Sequence, residues 1–246
     1  MRVALCLSGQ PRFIERAFPS ISEHLIKPNN ADVFFHAWYH QDLLGQRFVT
    51  NKNGIPEDDL GSTYSKEIRE SLLDLYKPKH HFFENQLAIR DPLIDVSRIL
   101  NTHAKTYTRD EFVRMIYSSW YSIQKSNLAK EIYRLKNDIS YDFVIRARFD
   151  STLNLPVPCA GLTKHSLYVD NRQLPENMIP DWFAVSSNEI SNMYSAGYNL
   201  IEYLAHTAGP SDLFCGENIV YRIMKAFQVP VIRFNDLIHL PVRRSA

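Results

Sequence analysis

The chain has 246 residues, and its 28 lysines and arginines nearly balance its 27 aspartates and glutamates, for a formal net charge of +1. With no run of like charge either, the sequence excludes an electrostatic field that would attract nucleic acid. The length suits one large α/β domain or two small ones, and an apolar fraction of 45% is ample for a core.

Cysteine spacing and apolar segments bear on the compartment. The three cysteines (Cys6, Cys159 and Cys215) are far apart, which argues against a disulfide framework or a cysteine-based zinc site and indicates a reducing, cytoplasmic environment. The apolar run at residues 3–7 is too short for a signal peptide or a membrane span, and no other segment is long enough to cross a bilayer. We therefore expect no transmembrane segment.

The alternation of apolar and amphipathic segments predicts an α/β domain. Short apolar segments predict strands at residues 3–8, 31–38, 80–84, 141–148, 166–169, 182–185 and 229–234. Apolar side chains at helical spacing predict helices at residues 12–27, 65–76, 110–139, 186–204 and 216–227. Strands that alternate with helices favour a mixed central sheet flanked by helices.

Some local features modify this pattern along the chain. Pro19 should kink or divide the first helix, because proline cannot donate a helical hydrogen bond. Residues 40–65 are polar and predict a long surface excursion, whereas residues 85–108 show no clean period. The long helix could break near Ser118-Ser119, and the segment 186–189 (Ser-Ser-Asn-Glu) predicts a capping box.

The first candidate site is the loop after the first strand, Ser8-Gly9-Gln10-Pro11-Arg12. Ligands of open α/β sheets bind beyond the carboxyl ends of the strands. Gly9 would let the backbone approach a ligand, and Arg12 could pair with a phosphate. Because a strand, a glycine and a helix follow one another in many proteins, this segment alone also fits an ordinary connection.

The second candidate site is the segment from Tyr141 to Ser151. Arg146, Arg148 and Asp150 occupy every second position, so they are expected to share a face and to converge at the carboxyl edge of the sheet. The arginines could grip a diphosphate, and the carboxylate could hold Mg²⁺ or Mn²⁺. The alternative is a structural salt-bridge cluster, but charges at the end of an apolar strand cost desolvation without an obvious structural need.

Asp181 and Trp182 form the third candidate site, just before a short apolar strand. Trp182 could provide an apolar platform for a sugar, and Asp181 could contact it. The alternative is a turn aspartate after proline with a tryptophan in the core.

The fourth candidate site lies around the start of the helix predicted at residues 216–227. Glu217 falls in its first turn, and Asp212 precedes it. Either carboxylate could take the proton from an acceptor hydroxyl. A carboxylate at this position could equally serve only the helix dipole.

The fifth candidate site is the carboxy-terminal tail. His239 could be a metal ligand or contact a diphosphate, and Arg243 and Arg244 could close over phosphates. The alternative is a frayed basic terminus, which we favour for Arg244.

Three segments together resemble a group of small GT-A-like glycosyltransferases found in bacterial surface-polysaccharide loci and in large DNA viruses. They are residues 4–12 (ALCLSGQPR), 31–38 (ADVFFHAW) and 141–150 (YDFVIRARFD). The resemblance implies a single GT-A-like domain over residues 1–246, with a nucleotide-sugar-binding half at about 1–150 and an acceptor-binding half at about 151–246. Residues 40–110 lie outside the resemblance.

The resemblance also implies site residues. A short acidic motif after a central strand of GT-A enzymes holds the metal, and Arg148-Phe149-Asp150 stands in its place. Arg148 replaces the first acid of Asp-x-Asp, so Asp150 would be the sole carboxylate ligand of Mn²⁺ or Mg²⁺, with His239 as a late metal ligand. Glu217 matches the catalytic acid that opens a helix in the second half, and Asp181 matches a sugar contact.

The sequence therefore predicts a transferase acting on a nucleoside-diphosphate sugar, with a UDP-sugar as the default, and on a hydroxyl of a glycan acceptor. Glu217, or Asp212 as second choice, would deprotonate the hydroxyl for an inverting displacement. A metal on Asp150, with Arg146, Arg148 and Arg243, would stabilise the departing diphosphate. The alternatives are a non-catalytic nucleotide- or glycan-binding module and, less favoured, a nucleotidyltransferase, which usually needs more clustered carboxylates.

Overall fold

A computed structural model gives the fold and describes residues 1–46, 63–86, 108–207 and 214–237, with the backbone alone at positions 109 and 239–241. The described residues form the strands β1 (Val3–Gly9), β2 (Asp32–Trp38), β3 (His80–Glu84), β4 (Phe143–Arg148), β5 (Ser151–Leu153), β6 (Leu167–Val169), β7 (Ala184–Ser186), β8 (Val231–Arg233) and β9 (His239–Pro241). They form the helices α1 (Ile14–Ile21), α2 (Glu67–Tyr76), α3 (Arg109–Lys136), α4 (Asn188–Ser195), α5 (Gly197–Thr207) and α6 (Gly216–Ala226).

One mixed sheet organises the described residues, in the order β3-β2-β1-β4-β7-β6-β8. Neighbouring strands are parallel except around β7, which is antiparallel to both β4 and β6. Six strands therefore end, and β7 begins, at one edge of the sheet, which we call the carboxyl edge. The prediction of an α/β chain with a mixed sheet is confirmed, and each of the seven predicted strands corresponds to a strand of this sheet.

Helices cover both faces of the sheet because its central strands are apolar on both sides. Leu5 and Leu7 of β1 pack in a cluster with Ile14 of α1 and Leu72 of α2. Ala4 and Cys6 face the opposite way and pack in another cluster with Ala129 of α3. A third cluster joins α3 to β6, α4, α5 and α6. The sheet thus continues across both halves of the chain without a break in the core.

The long helix α3 does not break at Ser118-Ser119, so that expectation was wrong. A serine interrupts a helix when its hydroxyl competes for backbone groups. The Ser118 hydroxyl instead accepts a hydrogen bond from Gln86 Nε2 at 2.8 Å. The helix begins with a capping box between Thr108 and Glu111, which ties down its first turn.

The helix predicted at residues 186–204 is two helices, α4 and α5, which meet at Ala196. Gly197 lies so close to Trp120 that a Cβ atom there would be 2.4 Å from the indole ring. Glycine at the start of α5 therefore allows its backbone to pack directly against α3. The predicted capping box was also wrong, because Ser187 is the N-cap and accepts from the Ile190 N–H, so Glu189 is one position too early for the reciprocal bond.

Pro19 lies inside α1 and does not divide it there. The winding instead changes three residues later, where Ser22–Ile26 form a π-helical segment and Lys27–Asn29 a 3₁₀ turn. The small sheet of β5 and β9 was not predicted, and its register pairs Leu153 with His239 and Ser151 with Pro241.

Much of the chain between β2 and α3 lies outside the described residues, including most of the predicted surface excursion at 40–65 and of the segment 85–108. Among the helices that the structure describes, none has the length and the apolar character that a bilayer span would require.

Candidate functional site

The turn after β4 carries the group of charges at the centre of the carboxyl edge. Phe149 is fully buried, with its ring edge-on to Phe35 and Tyr76 at centroid distances of 5.6 and 6.0 Å. This anchor folds the chain back, so Arg148 donates to both oxygens of Asp150, from Nε at 2.8 Å and from Nη2 at 2.7 Å. The bidentate geometry is the strongest form of arginine–carboxylate pair.

Arg12, from the loop before α1, completes this group. Its Nη2 donates to Asp150 Oδ2 at 2.9 Å, although the two residues are 138 positions apart in the sequence. We call Arg12, Arg148 and Asp150 the arginine cluster. Burial by itself would lower the pKa of Arg148, but Asp150 outweighs it, so the pKa of Arg148 is raised above its ordinary value. Within this cluster two guanidiniums therefore contact one carboxylate.

The loop after β1 lies beside this cluster, as the sequence predicted. The sheet register places Ser8 opposite Arg148. Gly9 has a φ of +114°, which favours glycine, and apart from its two neighbours in the chain no described residue has an atom within 4 Å of where its Cβ would be. Gln10 Nε2 donates to Gln86 Oε1 at 3.0 Å. The end of β1 therefore lies next to the arginine cluster without being covered there by the described residues.

Arg146 does not join the arginine cluster, contrary to the expected convergence of all three charges. Its guanidinium donates to the backbone carbonyl of Asp181, which also accepts from the Tyr194 hydroxyl at 3.2 Å. Burial lowers the pKa of Arg146 below its ordinary value. The residue is 6% exposed and clamps the segment before β7. A donor contact by Arg146 stays a prediction.

Trp182 is flanked by arginines. The guanidinium carbon of Arg172 lies 3.6 Å from the centroid of the Trp182 ring, and that of Arg148 lies 5.3 Å away. Arg172 follows β6, and its backbone N–H donates to Asp170 Oδ1 at 3.1 Å. The expected sugar platform is therefore covered at least partly by a cation. Arg172 was missed by the sequence analysis, although charged residues directly after a strand, as in Asp170-Asn171-Arg172, are the signal used for Arg148.

The first turn of α6 is joined residue by residue to the segment before β7. Asn218 Nδ2 donates to the Asn177 carbonyl at 3.0 Å. The Ile179 N–H donates to the Glu217 carbonyl at 3.1 Å. A Cβ on Gly216 would lie 2.3 Å from Asp181 Oδ2, so glycine allows the carboxyl group to pack on the helix start.

Two of the predicted site residues, Asp181 and Glu217, are therefore neighbours. Burial raises the pKa of Asp181 to about 7, and the negative charge of Glu217 adds to this, against the opposing effects of Arg146 and Arg148. Asp181 is 8% exposed, whereas Glu217 is only half-buried. The pKa of the Asp181 carboxyl group is therefore affected both by Glu217 at the start of α6 and by Arg148 of the arginine cluster.

An aromatic and polar group that the sequence analysis missed lies at the ends of β2 and β3. The rings of Trp38 and Tyr121 stack at a centroid distance of 5.4 Å. The Tyr121 hydroxyl donates to Glu84 Oε2 at 2.5 Å, and Lys125 Nζ lies 3.2 Å from Glu84 Oε1. His36 beneath them is fully buried, and burial lowers its pKa to about 3, so its ring is neutral. We call Trp38, Tyr121, Glu84 and Lys125 the aromatic group.

Among the described residues, the predicted metal ligands do not form a complete coordination set. Both oxygens of Asp150 accept from arginines, and within the described parts of the chain no group of three His, Cys, Asp or Glu side chains could hold a metal ion. The backbone of His239 pairs with Leu153, and its side chain is outside the described residues. Asp212 and Arg243 also lie outside them. Metal binding at Asp150 and His239 stays a prediction.

No model of a known protein family matches the chain, and no curated protein matches it. What the fold and the site define is an α/β protein with an arginine cluster, an aromatic group and a carboxyl pair along one edge of its sheet.

Proposed function

We propose that this chain is a glycosyltransferase that moves a sugar from a nucleoside-diphosphate sugar to a hydroxyl of a glycan acceptor. The observation that carries the proposal is the meeting of Arg12, Arg148 and Arg172 around Asp150 and Trp182, beside the carboxyl pair of the second half. Guanidiniums grouped in this way suit a diphosphate, whose oxygens accept forked hydrogen bonds.

The reaction we propose is a direct displacement. The acceptor oxygen attacks the anomeric carbon, the bond from that carbon to the diphosphate oxygen breaks, and the diphosphate leaves with the electron pair. The Glu217 carboxylate takes the hydroxyl proton. Arg148 and Arg172 stabilise the negative charge that develops on the leaving group, which is the contribution that preorganised donors make in a desolvated site. Attack opposite the leaving group inverts the anomeric configuration.

The aromatic group supports the proposal that the donor carries a nucleoside beside its diphosphate. Tyr121 is partly exposed and stacks on Trp38, and Lys125 Nζ lies 5.1 Å from the centroid of its ring. A flat nucleobase would stack on the exposed part of this ring, next to Lys125. Glu84 and Lys125 next to it could bond the base or ribose edges. We place the donor along the carboxyl edge, with its base toward β2 and β3 and its diphosphate toward the end of β4.

The mixed sheet, with its first four strands in residues 1–150, supports the interpretation of the fold as GT-A-like. A divalent cation remains part of the proposal, with Asp150 and His239 as its ligands. Asp150 could reach a cation only by sharing oxygens that now accept from Arg12 and Arg148. The arginines would otherwise supply the positive charge themselves.

A thermal-shift screen tests donor binding with UDP, GDP, dTDP, CMP and common nucleotide sugars, each with and without Mn²⁺. A ligand that binds only the folded chain stabilises it by about 2.7 kcal/mol at a hundredfold excess over Kd. We expect a selective shift with one nucleoside diphosphate, and Arg172→Ala should weaken it. Lys136→Ala, which removes an exposed charge at the far end of α3, is the matched control.

The same screen, combined with an assay of donor hydrolysis and sugar transfer, separates an enzyme from a binding module. Glu217→Gln should keep the nucleotide shift but lower turnover about 10²–10⁴-fold, as expected for loss of a general base. Wild-type turnover in this variant would refute the role of Glu217. A nucleotide shift without any donor hydrolysis or transfer would favour the non-catalytic binding module. No shift with any nucleotide would refute the donor site.

A further inference from the structure

A carboxylate and an ammonium group lie side by side in the aromatic group. Glu84 ends β3, and its Oε1 lies 3.2 Å from Lys125 Nζ. Its Oε2 accepts from the Tyr121 hydroxyl at 2.5 Å. The side chains of Glu84 and Lys125 are 29% and 26% exposed. Both charged groups are therefore held in one place by their neighbours and are still reachable from solvent.

These two groups keep hydrogen-bonding capacity that their mutual contacts do not use. A carboxylate has about four lone-pair sites, and an ammonium has three N–H donors. Among the described residues, Lys125 and Tyr121 each occupy one site on Glu84, and Lys125 also bonds the Tyr121 side chain. Each carboxylate oxygen of Glu84 can thus accept one more hydrogen bond, and Lys125 can donate one more. A ligand with two adjacent donors beside an acceptor would match this set.

His36 lies beneath Glu84 with one ring nitrogen unpaired. The side chain is fully buried, and its Nδ1 shares a hydrogen bond with Ser122 Oγ at 2.7 Å. Its Nε2 lies 4.0 Å from Glu84 Oε2 and has no hydrogen-bond partner among the described residues. A buried polar atom without a partner costs stability, and such exceptions are expected mainly at functional sites. The unpaired nitrogen is therefore an independent indication that the surroundings of Glu84 serve a ligand.

We propose that Glu84, Lys125 and Tyr121 form a subsite for guanine, so that the sugar donor is a GDP-sugar. This inference rests on the proposed transfer from a nucleoside-diphosphate sugar. The Watson–Crick edge of guanine carries two adjacent donors, N1–H and the 2-amino group, beside the acceptor O6. The two oxygens of Glu84 accept from the two donors, and Lys125 donates to O6. The purine ring stacks on the exposed part of Tyr121.

The other common bases match Glu84 less well. Uracil has one donor, N3–H, between two carbonyl oxygens, so one of these oxygens would face the Glu84 carboxylate. Adenine and cytosine have an amino donor beside a ring nitrogen that accepts, so only one oxygen of Glu84 would gain a partner. A site that is built to hydrogen-bond a group rejects analogues that lack it, because its own polar atoms then stay unpaired. The arrangement therefore favours guanine over uracil, which is the default expected from the sequence.

Isothermal titration of the full chain with GDP, IDP, UDP and ADP tests the base preference. IDP is the matched ligand, because it lacks only the 2-amino group of GDP. We expect GDP to bind at least about tenfold more tightly than each of the others, which is within the range for a bidentate contact with a base. Binding of any other nucleotide as tight as that of GDP would overturn the inference and leave the proposed function standing. Binding of none of the four would refute the proposed donor site itself.

Glu84→Gln separates recognition of guanine from a general loss of binding, because an amide has one donor and one acceptor where the carboxylate has two acceptors. The variant should bind GDP about 10- to 100-fold more weakly and should gain affinity for XDP, whose base has a carbonyl in place of the 2-amino group. Misfolding cannot produce such a gain. Glu23→Gln, the same change at an exposed site after α1, is the matched control and should bind GDP like the wild type. Wild-type affinity for GDP in Glu84→Gln, or a loss without a gain for XDP, would overturn the inference.

Discussion

Asp150 and Asp181 are both buried carboxyl groups at the carboxyl edge, but their surroundings differ. Asp150 accepts three hydrogen bonds from two guanidiniums, so its charge is fully compensated. Asp181 has one oxygen without a hydrogen-bond partner among the described residues and has Glu217 as a neighbour. The first suits a fixed electrostatic element of a phosphate site, whereas burial raises the pKa of the second above the ordinary value of an aspartate.

At the same scale, the period of two along β4 led to the expectation that Arg146, Arg148 and Asp150 would meet. Arg148 and Asp150 do meet, because the buried Phe149 folds the turn. Arg146 is drawn instead to the Asp181 carbonyl. The sequence could indicate which face a residue shares, but not which of two nearby acceptors on that face its side chain would bond.

Gly197→Ala should destabilise the chain by about 1–3 kcal/mol, the usual cost of overpacking a core. The reason is the 2.4 Å approach of the new Cβ to the Trp120 ring. Denaturant unfolding measures the change. Because alanine has a higher helix propensity than glycine, propensity alone would predict that Gly197→Ala stabilises the chain, which is the opposite of the expected result.

Asn199→Ala is the matched control, because Asn199 is exposed on the same helix α5. It should change the free energy of unfolding by less than about 0.5 kcal/mol, as is usual for surface substitutions. A stabilising effect of Gly197→Ala would show that α3 and α5 do not pack so closely.

At the scale of elements, α3 joins the two halves. Its amino-terminal half packs on α4, α5 and α6, and Ala129 packs on β1 and β2. Farther along, the apolar stripe used to predict the helix is no longer covered: Ile116 is 4% exposed, whereas Leu128 is 41% and Leu135 is 68% exposed. The period of the sequence indicated the helix, but only the packing decides how far the core extends along it.

Thr108→Ala should lower the free energy of unfolding by about 0.5–2 kcal/mol, because it removes the N-cap of α3. The Thr108 hydroxyl accepts from the Glu111 N–H at 3.2 Å, and Glu111 Oε2 accepts from the Thr108 N–H at 2.8 Å.

The control for this prediction is Thr108→Ser, which keeps the accepting hydroxyl and should cost only a few tenths of a kcal/mol. Equal stabilities of Thr108→Ala and the wild type in denaturant would contradict the cap.

At the scale of the whole molecule, the two proposed halves share one sheet. β4 of the first half pairs with β7 of the second through Arg146 and Ala184. The third cluster also brings Trp120 together with Ile201 and Ile223. Separating the chain after residue 150 would expose these surfaces on both pieces.

We therefore expect residues 1–150 and 151–246 not to fold when expressed separately, and the whole chain to unfold in one cooperative transition. Far-ultraviolet circular dichroism and tryptophan fluorescence should give coincident denaturation curves. A native-like spectrum for either piece, or two separated transitions, would show that the halves are independent domains.

The sequence by itself determined the kinds and the approximate positions of the elements, because apolar periods of two and of 3.6 residues are local. It also indicated Arg148, Asp150, Asp181 and Glu217 as candidates, since each stands next to the end of a strand or the start of a strand or helix. Only the tertiary structure decided the strand order, the break at Gly197, the stacking of Arg172 on Trp182 and the contact of Asp181 with α6. These are contacts between residues far apart in the chain, and packing selects them from many that a local pattern would allow.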